Sequence, residues 1–470
     1  MNYRVLAIKM IPLIVSFLIL SLFSIFFCNA EKNFDSFLFI CRFVVICIVI
    51  NFVFLYFYQK IFLSSINLIY ITFVLFQMGW MFIFFVDKDY TNPYLDLFSW
   101  DVLFDSVCFS FVSTQLFCIG IFSYFIFARK PKNGTPKVFF SSKISKIDSM
   151  FIYKVGTTVF LLSAIVVVPL YTYVSYMSIC NGFSQVYRGY LSSNGLFNLA
   201  RAFFFPSFIL LLCYADNRRL FFAKIIFLSV IVEALICGTR TEGLIWILVC
   251  AMYYSNNINV ITLKRKFLIA VSGTVAVFLG VYIAHVRVGY NVEYNLLFFV
   301  KSMFEEMGFN FTTICFITTY VPNMLSYQFG QTYINSLLMM IPESIDAFGI
   351  VSSLRDTIPA FWLYNINHLL YGGALDFGVG FSFIAEIYMN FGYFGILISF
   401  LFGYFVCSLY FYENKNCCKW NRYVQLVILQ SLLCFPRRTF CEFMKDFEYG
   451  ILFMGIIVII TYHLIKIKRV

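Results

Sequence analysis

The chain has 470 residues, of which 61% are hydrophobic and 12% are charged, and its mean hydropathy is +0.86. A soluble domain has about 45–50% apolar and about 25% charged residues, so this composition excludes an ordinary soluble enzyme and a disordered chain. The formal net charge of +11 reflects 34 Lys and Arg against 23 Asp and Glu. The composition therefore predicts an integral membrane protein.

Apolar runs that approach the roughly 20 residues of a membrane-spanning helix recur along the chain. They predict an all-α polytopic membrane protein with about 12 transmembrane helices in a single integral membrane domain, residues 1–470. The first run exceeds the usual core of about 7–15 residues in a signal peptide, so we expect an uncleaved span. The runs are 10–28, 37–58, 63–86, 104–127, 152–176, 198–215, 221–237, 243–255, 267–284, 393–412, 423–435 and 449–465.

The distribution of Lys and Arg predicts the sidedness of these spans, because cytoplasmic loops carry an excess of both residues. With the N-terminus inside, the excess falls in alternate connections and is densest in 128–150, a predicted cytoplasmic basic loop. Both termini are then cytoplasmic. The runs 221–237, 243–255 and 423–435 are the weakest predicted spans because they are short.

Residues 285–392 are the one long segment in which the alternation pauses. The segment is polar, contains Gly and Pro, and has apolar stretches too short or too interrupted to span a membrane with ease. It predicts a long periplasmic loop that carries short interfacial helices. An alternative is a pair of extra spans within 294–322. Long loops are often functional, so we look for the active site on this side.

Several classes of chemistry lack sequence support. The 15 cysteines are scattered through apolar runs without the spacing of metal ligands or of a disulfide framework. The chain has no Gly-rich phosphate loop, no Asp-x-Asp pair and no Gly-x-Ser-x-Gly elbow. We therefore expect no cofactor, no metal site and no nucleic-acid partner.

A set of arginines lies on the predicted outer side, against the charge bias. A guanidinium is permanently charged, and its fork of donors fits phosphate. Together they suit an anionic group such as a lipid-linked pyrophosphate at headgroup depth. The alternative is that each arginine reaches lipid headgroups or pairs locally, as Arg240 could with Glu242. The set consists of Arg240, Arg287, Arg355, Arg437 and Arg438.

Candidate proton-transfer groups are few, since the chain has only 3 histidines. His368 could take a proton from a sugar hydroxyl near neutral pH, with His285 or Glu305 as weaker alternatives. A histidine on a loop surface is the plainer interpretation. Glu386 lies inside an apolar helical stretch, where an ionisable group usually faces a cavity or a partner. If an arginine is its partner, Glu386 organises the site and is not a base.

Four stretches resemble Wzy-type O-antigen polymerases, mainly over residues 230–445. The stretch from Glu386 to Gly395, Glu-x-Tyr-x-Asn-Phe-Gly-x-x-Gly, is the most specific of them. One departure is Thr241 followed by Glu242, where such proteins often have a small residue after the arginine. The four stretches are Gly238-Thr-Arg-Thr-Glu242, Gly330-Gln-Thr-Tyr-Ile-Asn-Ser-Leu-Leu-Met-Met-Ile-Pro342, Phe381-Ser-Phe-Ile-Ala-Glu-Ile-Tyr-Met-Asn-Phe-Gly-Tyr-Phe-Gly395 and Pro436-Arg-Arg438.

The resemblance implies a GT-C-like fold and a metal-independent glycosyltransferase of the bacterial inner membrane. Such a polymerase moves a growing glycan from undecaprenyl pyrophosphate onto a lipid-linked repeat unit at the periplasmic face. Its implied partners are these lipid-linked oligosaccharides and membrane lipid, and a chain-length regulator is a further candidate. The catalytic candidates are His368, Arg240 and Arg287; the substrate-binding candidates are Arg437, Arg438, Arg355, Glu386, Tyr333 and Glu305.

Two other functions remain open at this point. An O-antigen ligase would use the same donor and the same outward arginines. A repeat-unit flippase, or another transporter, should have charges within its spans and pseudo-symmetry between its halves. The predicted spans here are almost free of charge and the halves look unlike, which favours the polymerase.

Overall fold

The computed structural model describes residues 3–59, 64–88, 90, 95–128, 141–181, 195–216, 218–237, 240–257, 296–339, 349, 353, 381–410 and 418–467. Within these ranges every regular element is a helix. The helices group into two compact units. Unit 1 comprises Met1–Lys132, Val300–Glu413 and Phe435–Phe443, and unit 2 comprises Asn133–Phe299, Asn414–Cys434 and Met444–Val470.

The helices follow each other in the order of the predicted apolar runs, with short helices added between them. A 3-10 turn at Gly392–Gly395, another at Phe435–Arg437 and a π-helical turn at Glu448–Phe453 connect some of them. The helices are α1 Tyr3–Asn29, α2 Phe34–Gln59, α3 Ser65–Val86, α4 Trp100–Phe127, α5 Ser141–Ile144, α6 Ser149–Asn181, α7 Gly195–Tyr214, α8 Phe221–Cys237, α9 Arg240–Asn257, α10 Leu296–Gly308, α11 Asn310–Tyr320, α12 Gln331–Leu338, α13 Phe383–Phe391, α14 Ile396–Tyr410, α15 Lys419–Cys434, α16 Phe440–Phe447 and α17 Met454–Ile467.

Among the described residues, 8 helical segments are long and apolar enough to cross a membrane, which confirms a polytopic membrane protein. Three other predicted spans are helical but shorter, and the run 267–284 lies outside the described residues. The count of about 12 therefore stays a prediction. The 8 segments are Lys9–Asn29, Phe34–Gln59, Ser65–Val86, Trp100–Phe127, Ser149–Cys180, Gly195–Tyr214, Phe383–Tyr410 and Phe440–Ile467.

One of these segments, Phe383–Tyr410, is a helical hairpin and not a straight span. A straight helix rises about 1.5 Å per residue, so Phe383 and Phe402 would lie about 28 Å apart. Their ring centroids are 4.7 Å apart. The chain reverses at Gly392, whose φ of +56° is open to glycine and strained for other residues. Helix α13 is therefore a buried half-helix that folds back against α14.

Glycine allows this reversal and the packing beside it. A Cβ at Gly395 would lie 2.2 Å from Cγ2 of Ile387, on the opposite arm of the hairpin. A Cβ at Gly403 would lie 2.0 Å from the carbonyl oxygen of Phe117, so α14 and α4 cross in backbone contact. The family-like stretch Glu386–Gly395 thus encodes the hairpin and its turn.

The described short helices of the segment 285–392 pack against other helices, and their interfacial location stays a prediction. Helix α11 is buried over Asn310–Ile317 and packs against α3, α4 and α13. Helix α10 is fixed to α3 by an ion pair of 2.5 Å between Lys301 and Asp87. Neither helix is long enough to span a membrane alone. A large part of the predicted loop is therefore packed structure within unit 1.

Unit 2 contains α5 to α9, α15 and α17. Its centre is an aromatic cluster in which Phe208 and Phe227 stack with centroids 3.8 Å apart and Trp246 stacks on Phe205 at 5.4 Å. Helix α9 is joined to α7 by an ion pair between Glu242 and Arg201. Glu242 lies two residues after Arg240, the first residue of α9.

Candidate functional site

A buried amide in the middle of α3 connects two distant parts of unit 1. The Nε2 of Gln77 donates to the carbonyl oxygen of Pro436 at 2.5 Å, and its Oε1 accepts from the hydroxyl of Ser382 at 2.7 Å. The same serine caps α13 by accepting from the backbone N–H of Ala385 at 3.4 Å. Gln77 thereby fixes the start of the half-helix and the turn that leads to Arg437 and Arg438.

The carboxylate of Glu386 is fully buried and uses both oxygens as acceptors. Its Oε1 accepts from the hydroxyl of Thr332 at 3.0 Å, and its Oε2 accepts from the backbone N–H of Phe440 at 2.7 Å. Phe440 is the first residue of α16, where N–H groups lack helical partners and the helix dipole favours a negative charge. Glu386 therefore caps α16 from another helix.

The first turn of α16 also has a cap from its own chain. The hydroxyl of Thr439 accepts from the N–H of Glu442 at 3.3 Å, while the carboxylate of Glu442 accepts from the N–H of Thr439 at 3.0 Å. This reciprocal arrangement is a capping box. The residues that directly follow Arg438 are thus held by Glu386 and by their own helix.

The Pro436–Arg438 turn is recessed within unit 1. Pro436 lies at the level of Gln77, and the rise from Gln77 to Asp87 at the end of α3 is about 15 Å. Phe435 packs on Phe402 at 5.3 Å between centroids, well inside the bundle. Arg437 is exposed and Arg438 is partly exposed. The expected location of both arginines at headgroup depth stays a prediction.

Tyr333 on α12 packs beside the same carboxylate. Its ring stacks on Phe391 with centroids 6.2 Å apart and meets the edge of Phe440 at 5.2 Å. Its hydroxyl is buried and has no hydrogen-bond partner among the described residues. Burial raises the pKa of Tyr333 well above its usual value, and the nearby Glu386 carboxylate raises it further. The phenol therefore stays neutral.

The other predicted site residues are only partly described. Glu305 lies half-buried on α10, where its backbone oxygen accepts from the Trp80 indole at 3.0 Å. Arg240 is the first residue of α9, and its side chain lies outside the described part. Four further predicted site residues also lie outside the described part: Arg287, Arg355, His368 and His285.

Glu242, which could pair with Arg240 in the alternative interpretation, forms an ion pair with another arginine. Nε of Arg201 donates to Oε2 of Glu242 at 3.1 Å, and Nη2 of Arg201 contacts Oε1. Sequence reasoning did not single out Arg201 or Gln77. A polar amide inside the apolar run 63–86 was the available signal for Gln77.

These features define a polytopic helical membrane protein with a buried acid, a re-entrant half-helix and a recessed pair of arginines. The family model described as O-antigen polysaccharide polymerase Wzy matches residues 9–469, so the chain belongs to this family. No curated protein and no solved structure matches the chain. The resemblance seen in the sequence is confirmed, while the GT-C-like fold stays a prediction.

Membership of the family defines the activity in general terms. The protein is an O-antigen polymerase of lipopolysaccharide biosynthesis, a glycosyltransferase-type enzyme that acts on lipid-linked oligosaccharide repeat units. Its apolar helices fit a multi-pass membrane protein.

Proposed function

We propose that the protein transfers a growing glycan from undecaprenyl pyrophosphate onto a lipid-linked repeat unit at the periplasmic face, and that Arg437 and Arg438 hold the donor diphosphate. The observation that carries this proposal is the recessed Pro436–Arg438 turn, which presents two adjacent guanidinium groups from a rigid backbone. Each guanidinium is permanently charged, and its fork of donors fits phosphate oxygens. Two adjacent guanidinium groups therefore suit a diphosphate.

The proposed reaction depends more on stabilisation of the negative charge that develops on the diphosphate than on covalent catalysis. The acceptor hydroxyl oxygen attacks the anomeric carbon, the bond from that carbon to the diphosphate oxygen breaks, and its electron pair leaves with the diphosphate. Preorganised donors aimed at charge that develops in the transition state contribute about 3–4 kcal/mol each. Arginines can provide them, so the proposed reaction needs no metal ion.

The other candidate residues keep the roles proposed from the sequence. Arg240 and Arg287 are proposed to stabilise the diphosphate, and Arg355, Tyr333 and Glu305 to contribute to glycan binding. His368 takes the proton of the acceptor hydroxyl. Support for these roles comes from the sequence pattern and from the family. A chain-length regulator is proposed as a partner on the same basis.

Alanine substitution of Arg437 and Arg438 tests the proposal. Each variant is expressed in a host that lacks its own polymerase but makes the repeat unit, and the lipopolysaccharide is resolved on a gel. We expect a loss of long chains of more than tenfold and accumulation of single-repeat molecules. The control is Arg218→Ala, an exposed arginine in a predicted cytoplasmic turn, which should keep the full ladder. An intact ladder from membrane-inserted R437A and R438A proteins contradicts the proposal.

Two further measurements examine the finer assignments. H368A should abolish the ladder at an unchanged protein level, and an intact ladder would remove the histidine from the mechanism. Polymerisation by purified protein on lipid-linked repeat units should continue in excess EDTA. A loss in EDTA that magnesium restores would refute metal independence.

A further inference from the structure

The proposed function leaves Glu386 without a chemical role, although the residue is completely buried in an apolar helix. Such a group is costly, and its retention calls for a specific set of partners. We propose that Glu386 is the positioning residue of the arginine turn: its carboxylate caps α16 and thereby fixes the backbone from which Arg437 and Arg438 extend. This inference rests on the proposed function and deepens it.

The hydrogen bonds around Glu386 show how its carboxylate is used. The Nδ2 of Asn390 donates to the hydroxyl oxygen of Thr332 at 2.7 Å, so the proton of that hydroxyl is free to point at Glu386. One carboxylate oxygen accepts this proton and the other accepts the N–H of Phe440. Glu386 therefore acts as a double acceptor, with both of its oxygens engaged within the protein.

The arginine turn is clamped at both of its ends. Before the arginines, the carbonyl of Pro436 is held by Gln77; after them, the N–H of Phe440 is held by Glu386. The turn between these bonds closes with the N–H of Arg438 donating to the carbonyl of Phe435 at 3.0 Å. Misplacement of a binding group by about 1 Å can reduce a rate a hundredfold, so loss of one clamp should impair catalysis.

The hydrogen bonds around Glu386 and Asn390 also fix the start of the segment that leads to Arg355 and His368. The backbone N–H of Phe329 donates to the carbonyl of Asn390 at 2.9 Å, and the N–H of Gly330 donates to Oδ1 of Asn390 at 2.9 Å. Thr332 follows directly and bonds Glu386. The Glu386 helix thus aligns two chain segments that both carry candidate substrate-binding residues.

Comparison of Glu386→Gln with Glu386→Ala distinguishes a positioning role of the Glu386 side chain from a role of its negative charge. The glutamine oxygen can still accept the N–H of Phe440, and its amide can donate to the hydroxyl oxygen of Thr332. Alanine removes both bonds. The matched pair is Thr332→Val and Thr319→Val, because within the described part of the chain the hydroxyl of Thr319 donates only to its own helix, at 2.7 Å. All four are made in the full-length protein.

The first readout is hydrogen exchange of the peptides that cover 435–443, measured on purified protein in detergent. E386A should raise exchange there at least tenfold, T332V should raise it less, and E386Q and T319V should match the wild type. Unchanged exchange in E386A overturns the inference. This readout does not depend on activity, so it stands even if the arginine variants show that the proposed function is wrong.

The second readout is the lipopolysaccharide ladder. We expect the amount of long-chain lipopolysaccharide to fall more than tenfold in E386A, whereas E386Q should retain most of it. If E386Q keeps wild-type exchange but is as inactive as E386A, the negative charge itself participates and the positioning role is refuted. A full ladder from E386A refutes it as well.

Discussion

Phe383 lies against Phe402 with their ring centroids 4.7 Å apart, on opposite arms of a hairpin that turns at Gly392. The first arm carries Glu386 into unit 1, and the second packs on α4. The position of the acid therefore depends on the reversal.

Gly392→Ala should damage the reversal. The φ of +56° at this position is strained for alanine, at about 1–3 kcal/mol, and a Cβ would lie 2.9 Å from the Tyr327 ring. We expect a lower unfolding temperature in detergent and a shortened ladder. Gly195→Ala is the control, because nothing lies within 4 Å of its Cβ. Equal stability of the two variants would contradict the hairpin geometry.

Gln77→Glu should strongly reduce the amount of long chains and should have a smaller effect on the stability of the protein. The substitution keeps the shape of the side chain but replaces the donor to the Pro436 carbonyl with a second acceptor. We expect a loss of long chains of more than tenfold at equal protein level. The control is Gln115→Leu, which removes a buried bond of 2.7 Å to Asn51 away from the site. It should lower the unfolding temperature while each folded molecule stays active; equal activity of the two variants would count against the Gln77 clamp.

The pair of Arg201 and Glu242 should show strong coupling in unit 2. Their side chains are only 24% and 15% exposed, so solvent screens their attraction weakly, and loss of the contact should cost roughly 2 kcal/mol. R201A and E242A should each lower the unfolding temperature, and the double variant should lower it by less than the sum of the two single effects. A double-mutant cycle measures this coupling. Simple additivity would show that the pair contributes little.

Tyr333→Phe should change the response of stability to alkaline pH. The folded pKa of Tyr333 is raised above the unfolded value, so its contribution to stability is present below about pH 10 and is lost as the pH rises further. The phenylalanine variant lacks this loss. Unfolding temperatures measured from pH 8 to pH 11 should therefore fall less steeply for Y333F than for the wild type. If the unfolding temperatures of Y333F and the wild type fall in parallel with pH, the phenol of Tyr333 lies in a solvated environment.

Hydropathy was sufficient to predict the long helices, because burial in lipid requires a sustained apolar run. The family was predicted from the resemblance of four sequence stretches. It did not predict the burial of α11, since a short apolar helix looks the same whether it covers a bilayer surface or fills a protein core. Glu386 could be singled out because a charge inside an apolar helix is rare.

The partners of Glu386 could not be predicted from the sequence. The sequence suggested an arginine, and the structure gives the Thr332 hydroxyl and the Phe440 amide. A backbone N–H has no sequence signature, and its availability depends on where α16 begins. Gln77 and Pro436 are 359 residues apart in the sequence, so the role of Gln77 depends on tertiary structure.

The two clamps on the arginine turn also set an order of synthesis. Gln77 and Glu386 are translated well before Pro436 and Phe440, with which they bond. During translation Gln77 and Glu386 therefore lack these two bonds until Pro436 and Phe440 have been synthesised. The arginine turn can form only late in translation, and a chain that stops before Pro436 lacks both the arginines and the bonds that Gln77 and Glu386 make to Pro436 and Phe440.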